Sequence, residues 1–255
     1  MYPKPLTGII RRDPTPDVIT LGCPFTIGGI VKLGARETII KAQFTTGSGA
    51  FVIAPIPFTD ESDTALDGLP VKYILAPNLV HNLEILSWKE RFPEAKIVGP
   101  KGLRSRMADD VAVDIEITDF DNVLSAKDLG MVDIADKEDF KFVCFGGHRT
   151  YELATYHGKS KVLVVADLMV NLPASEQYSA AKSDGIFSAI TNMLNVDARL
   201  QPYVAWLLMK DKEAMKKGIK GLSALDFEKI VVCHGNIIEV DAKAKFNDQF
   251  KSLLQ

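Results

Sequence analysis

Three of the four histidines and one aspartate fall at equivalent places in the chain. His81 follows the run Val71–Ala76, His148 follows Lys141–Gly147, Asp167 follows Lys161–Ala166, and His234 follows Ile230–Cys233. Each run is short, apolar and largely β-branched, the pattern of a buried strand. Imidazole nitrogen and carboxylate oxygen are the ligand types that suit zinc, iron or manganese. Four strand ends carrying them on a central sheet would supply what a metal site needs. Three protein ligands plus water is the ordinary catalytic zinc arrangement. His148, Asp167 and His234 fill that role, with His81 as a fourth ligand or leaving room for water. The alternative is a polar cluster that binds no metal and orders the strand ends.

Residues beside these positions add chemistry. Glu152 lies four residues after His148, where it could orient the imidazole or act as a general base, or simply sit exposed on a hairpin. Arg149 could hold an anionic substrate or form a surface ion pair. After Asp167 the chain reads Asn171-Leu-Pro-Ala-Ser-Glu-Gln-Tyr178, a polar string following an apolar strand. Asn171 and Tyr178 are therefore candidate substrate contacts, with loop and helix capping by Ser175 as the other reading. His157, in His-Gly-Lys-Ser, is expected to be an exposed turn histidine. Cys233, beside His234, is expected to be a packed thiol rather than a nucleophile.

The elements that must position these groups follow from hydrophobic periodicity. Asp17–Leu21, Gly29–Leu33, Thr38–Gln43 and Ala50–Ile53 read as strands separated by glycine turns. Val71–Ala76 is a further strand, Leu79–Phe92 has helical spacing with Leu83, Leu86 and Val80 toward one face, and Lys96–Val98 is a strand again. Such a strand–helix–strand unit implies a parallel pair. Asp109–Asp139 is acidic and alternating, suggesting an edge strand and loops. Phe142–Phe145, Glu152–Tyr156 and Lys161–Ala166 resume the strands. A helical stretch is expected from about Ser175 to Lys217, then a strand at Lys229–Cys233 and a helix from about Asp241 to Leu254. Strand-rich segments at both ends, each with helices, suggest two face-to-face sheets with helical outer layers.

Bulk properties narrow the function classes. With 255 residues the chain can bury a large core, and one domain spanning 1–255 is the simpler reading. A net charge of −3 gives no case for a nucleic-acid partner, and no apolar run approaches the ~20 residues of a membrane span. Three cysteines without a signal-peptide core point to reduced thiols in a cytoplasmic protein.

At several of these residues the sequence resembles the metallo-β-lactamase superfamily. ILAPNLVHNLEILSWKERFPEAKIVGP (Ile74–Pro100) resembles the unit that opens that superfamily's metal site. Gly147-His148, VLVVADL ending at Asp167-Leu168, and IVVCHG with His234 resemble its later ligand segments. The phrases VKYILAPN, ADLMVNLPASEQY and FEKIVVCHGNIIE are similar to an uncharacterised branch found in fungi and bacteria. The resemblance implies an αββα four-layer sandwich. It also departs from the family pattern. Where the superfamily has Thr-His-x-His-x-Asp-His, this chain has Asn78, Val80, Asn82 and Leu83 at the histidine and aspartate places, and only His81 remains in the loop. A two-metal centre is therefore not expected. Asn236 stands where the branch often has aspartate, a further candidate substrate contact.

The resulting expectation is a hydrolase with one divalent metal, zinc first and iron or manganese as alternatives. It would act on a small-molecule ester, thioester, lactone or phosphate through metal-activated water, with Asp167 and Glu152 as catalytic carboxylates. The competing expectation is a metal-free pseudoenzyme or small-molecule binding protein on the same scaffold.

Overall fold

The computed structural model describes residues 1–29, 31–107, 111–181, 191, 193–198 and 206–255. Two mixed sheets carry the fold. The first has seven strands: β1 (Ile10–Thr15), β2 (Val18–Cys23), β5 (Ala35–Phe44), β6 (Gly47–Ile53), β7 (Val71–Leu75), β8 (Lys96–Pro100) and β9 (Ile115–Ile117), adjacent in that order. The second has five: β10 (Leu124–Ser125), β11 (Phe140–Cys144), β12 (Leu153–His157), β13 (Val162–Val165) and β14 (Lys229–Val232). A two-stranded ribbon, β3 (Thr26–Ile27) with β4 (Val31–Lys32), stands apart where one strand over Gly29–Leu33 was expected. The polar edge strand β1 was not anticipated; its Pro14 is tolerated because an edge strand needs no amide on its outer side.

Strict two-residue alternation separates the layers. Phe51, Ile53, Tyr73 and Leu75 from the first sheet pack with Phe140, Phe142, Val164 and Val231 from the second. Their neighbours along the same strands face outward. Val52, Ile74 and Ile97 meet helices α1 (Asp60–Leu66) and α2 (Ile85–Arg91) through Ala65, Ile85 and Trp88. Val143, Leu163 and Val232 meet α3 (Lys212–Ala224), α4 (Ala242–Gln249) and α5 (Lys251–Leu254) through Met215, Ile219, Phe246 and Leu253. Both faces of both sheets are thus covered, which is why their strands read as near-continuous apolar runs. The order is helix, sheet, sheet, helix, as expected.

Parallel pairing of β7 with β8 matches the strand–helix–strand reading. Two local expectations fail. Helix α2 begins at Ile85, not Leu79, and leaves Val80 and Leu83 exposed at 51% and 63% instead of packed. The cause is Asn78, whose side-chain oxygen takes the backbone N–H groups of Val80 and His81 at 2.9 Å and holds the segment in a turn. The helical stretch expected over Ser175–Lys217 falls partly on 182–190, 192 and 199–205, outside the described residues. Within the described part, 175–180 are turns, 206–208 are helical, and α3, which covers the end of the expected stretch, starts after Asp211, which caps the amides of Glu213 and Ala214.

Candidate metal centre

His81, Asp167 and His234 each offer a ligand atom within 4.8 Å of the others. His81 comes from the turn after β7, Asp167 from just beyond β13, and His234 from just beyond β14. Since β13 and β14 run parallel, their ends bring the aspartate and the last histidine to one edge. His234 Nε2 lies 3.6 Å from Asp167 Oδ1, and His81 Nδ1 lies 3.6 Å from Asp167 Oδ2.

Hydrogen bonds determine which imidazole nitrogen is free. His234 Nδ1 lies 2.7 Å from the Gly34 carbonyl, which can only accept, so Nδ1 carries the proton. His81 Nδ1 lies 2.9 Å from Asn78 Oδ1. That amide is oriented by its other partners: Nδ2 faces Asp167 Oδ2 at 2.8 Å and Glu152 Oε2 at 3.0 Å, while Oδ1 receives two backbone amides. His81 Nδ1 is therefore a donor as well. Both Nε2 atoms then carry lone pairs, and they face each other at 3.0 Å. Two such lone pairs repel unless a cation or proton lies between them. Donors about 2.0–2.1 Å from one zinc ion stand roughly 2.8–3.4 Å apart at right-angled to tetrahedral geometry. The donor set present thus fits a single divalent ion.

Electrostatics reinforce this. Burial pushes His81 down to about 4, keeping it neutral and able to ligate. Burial alone would raise Asp167, but His81, His234 and His148 hold it below the usual carboxylate range and keep it ionised. Burial, with help from the Asp167 charge, pushes Glu152 up to about 8.

The remaining residues singled out in the sequence lie around this group. His148 is buried close enough for its field to act on Asp167, yet it is not one of the three converging donors. Its Nδ1 meets Thr150 Oγ1 at 2.9 Å, and its Nε2 has no hydrogen-bond partner among the described residues. Glu152 is not an exposed hairpin residue. It is fully buried, and its oxygens accept from Asn78 and from the backbone amides of Ala166 and Asp167.

Asn171, Asn236, Tyr178 and Arg149 fasten the surrounding loops. Asn171 and Asn236 exchange backbone and side-chain bonds across the two strand ends, and Asn236 Oδ1 takes the Glu176 amide at 2.9 Å. Tyr178 donates to the Phe25 carbonyl at 2.7 Å, and Arg149 to the Leu207 carbonyl at 2.9 Å. His157 corrects the expectation of an exposed turn residue. It is the buried last residue of β12, held between Asp139 and Ser160 at 2.9 Å each. Burial drives the Cys233 thiol well up, so it is no ready thiolate.

Two supports were not anticipated. Arg36 is buried and donates to the carbonyls of Val232 (2.6 Å) and Gly235 (2.7 Å) on either side of His234, and to Glu176 at 2.7 Å. Gln177 bonds the Cys233 carbonyl and the Gly235 amide. The polar string after Asp167 therefore clamps the His234 loop. Nothing in strand periodicity marks an arginine inside β5 as internal; only the acidic partner Glu176, far away in sequence, makes it so.

A cavity of about 250 Å³ opens on the group. His81, Asp167, His234 and Arg36 are its charged or imidazole lining, while Phe25, Leu33, Ala35, Pro55, Val80 and Leu83 form apolar walls. None of Asn171, Tyr178, Arg149 and Asn236 lines it.

No family model matches the sequence, and no curated protein sequence matches it. Solved structures do. The DIM-1 metallo-β-lactamase exposed to ceftazidime superposes with a TM-score of 0.59 at 9% identity, over 97% of this chain and 98% of that one. A metallo-β-lactamase from Pontibacter korlensis gives 0.58 at 14% identity, over 96% and 99%. The Flv1 flavodiiron core from Synechocystis sp. PCC6803 gives 0.64 at 13% identity, over 96% of this chain and 60% of that longer one. At such identities the likeness speaks for architecture alone. With its two mixed sheets between helical layers, the chain has the metallo-β-lactamase fold.

Proposed function

We propose that the protein is a hydrolase that holds one divalent metal ion through His81, Asp167 and His234. The observation that carries this reading is the pair of Nε2 lone pairs facing each other at 3.0 Å beside an ionised carboxylate, at a solvent-reaching cavity. Zinc, iron or manganese would suit two imidazoles and a carboxylate, and would polarise a substrate oxygen and lower the pKa of a water toward ~7. His148, buried with an unpartnered Nε2, is the next nitrogen available to the site. Glu152 acts through Asn78 and the Asp167 amide rather than on substrate, because its oxygens already accept three N–H groups.

The cavity shapes the substrate. At about 250 Å³ the cavity lies just below the usual ~300–1,000 Å³ of small-molecule pockets, so the bound portion is small. Its walls favour an apolar substituent, so an ester, thioester or lactone fits better than a phosphate compound. Leu83 does not fill the gap left by the absent early histidines but stays exposed at the cavity mouth.

A metal-free small-molecule binding protein is the second reading, favoured by the apolar walls. Elemental analysis of untagged, chelator-free protein beside a His81→Ala/His234→Ala variant decides between them. About one zinc, iron or manganese per chain, lost in the variant, is expected. Metal far below one per chain in folded wild-type protein refutes the hydrolase reading.

A further inference from the structure

Asn78 is fully buried and spends its whole hydrogen-bonding capacity on this site. Its two N–H bonds go to Asp167 and Glu152, and its oxygen receives the amides of Val80 and His81 and the Nδ1–H of His81. We infer that Asn78 is a positioning residue that fixes His81 in the Nδ1–H form and aims one oxygen of Asp167, so that the turn after β7 presents one nitrogen donor to one ion. The inference rests on the single-metal reading for its effect on affinity, but not for its effect on the imidazole.

Without Asn78, His81 Nδ1 keeps Asp167 Oδ2 only at 3.6 Å, beyond hydrogen-bond distance. The turn would also lose the acceptor of its two amides. A histidine free to adopt either neutral form presents the wrong nitrogen part of the time. Partners behind a ligand typically tune affinity 10–100-fold. His234 Nδ1 is held by the Gly34 carbonyl, not by Asn78, so the place of its proton provides an internal control even though the two Nε2 atoms meet.

Two variants separate the roles of Asn78. Asn78→Leu removes donors and acceptor together. Asn78→Asp keeps an acceptor toward His81 and the two amides but removes the donors toward Asp167 and Glu152. Imidazole ¹⁵N shifts, read in chelator-treated protein at pH 7.5, report the proton position directly, and zinc affinity is read by competition with a chromophoric chelator. The expected result is Nδ1–H for both His81 and His234 in wild type and Asn78→Asp. In Asn78→Leu, His81 becomes mixed while His234 stays unchanged. Zinc binding should weaken at least 10-fold in both variants. An unchanged His81 proton position and unchanged affinity in Asn78→Leu overturns the inference. If Asn78→Leu does not fold, Asn78→Asp decides: native His81 form with weakened zinc supports the role, unweakened zinc overturns it. Wild-type protein that binds no zinc, iron or manganese refutes the metal reading instead, and the His81 spectrum then decides the positioning role by itself.

Discussion

Gly235 should tolerate no side chain, although it is not a ligand. Its φ is +100°, and an added Cβ would overlap the carbonyl of Asn171 and lie 3.0 Å from the Leu172 amide. The strap it would push away is held to this loop by two backbone bonds, Asn171 N–H to the His234 carbonyl (3.0 Å) and Asn236 N–H to the Asn171 carbonyl (2.9 Å). Backbone strain of about 1–2 kcal/mol and two lost hydrogen bonds of about 1 kcal/mol each give a destabilisation of roughly 3–4 kcal/mol for Gly235→Ala. For a domain of this size that lowers Tm by roughly 6–16 °C. Because His234 precedes Gly235 directly, the loss should be local as well as global. Metal content should fall below one-tenth per chain at temperatures where circular dichroism still shows a folded protein. Differential scanning calorimetry and elemental analysis on the same sample test both halves. A variant that melts within 2 °C of wild type and keeps its metal would refute the clash argument.

Other substitutions probe separate parts of the molecule. Glu37 is fully buried, pushed up to about 8 by burial, and accepts the Ile56 amide at 3.0 Å. Its folded pKa exceeds the unfolded one, so its contribution is full below about pH 4.5 and is lost as pH rises through about 8. Glu152 behaves alike, whereas His81 and His148, lowered by burial to about 4, lose stability only as pH falls below ~6.5. Between pH 6.5 and 8, Glu37→Gln should therefore roughly halve the decline in urea-unfolding free energy, removing up to about 1.4 kcal/mol per pH unit; an unchanged slope contradicts a neutral Glu37. His157→Ala should cost about 2–3 kcal/mol through its lost bonds to Asp139 and Ser160, yet leave metal content intact, because it sits at the far end of the strands from Asp167; metal loss there would move the site. Leu83→Asp, at an exposed position, should change stability by less than about 0.5 kcal/mol while raising KM for esters with aliphatic acyl groups; equal KM values would show that the apolar walls do not meet substrate.

How far the sequence predicts this site depends on where each residue finds its partners. The central strands of both sheets were legible because burial on two faces writes them as β-branched runs, and their ends located His81, Asp167 and His234 together with His148. The turn after β7 was not. Apolar spacing at Val80, Leu83 and Leu86 mimics a helical stripe, and only the side chain of Asn78 breaks it, by offering the backbone a better acceptor than the next turn. His157 and Arg36 were misplaced or missed for a related reason: Asp139 and Glu176, which make their burial tolerable, are distant along the chain. His148 shows the same limit at the site itself. Its strand end is equivalent to the others by pattern, but among the described residues it is His81 that groups with Asp167 and His234, while His148 Nδ1 meets Thr150. His81 faces His234 while its other nitrogen meets Asn78 Oδ1 at 2.9 Å, a contact that no strand pattern records. Under the proposed positioning role, Asn78 holds Nδ1 of His81 and so leaves its Nε2 facing His234.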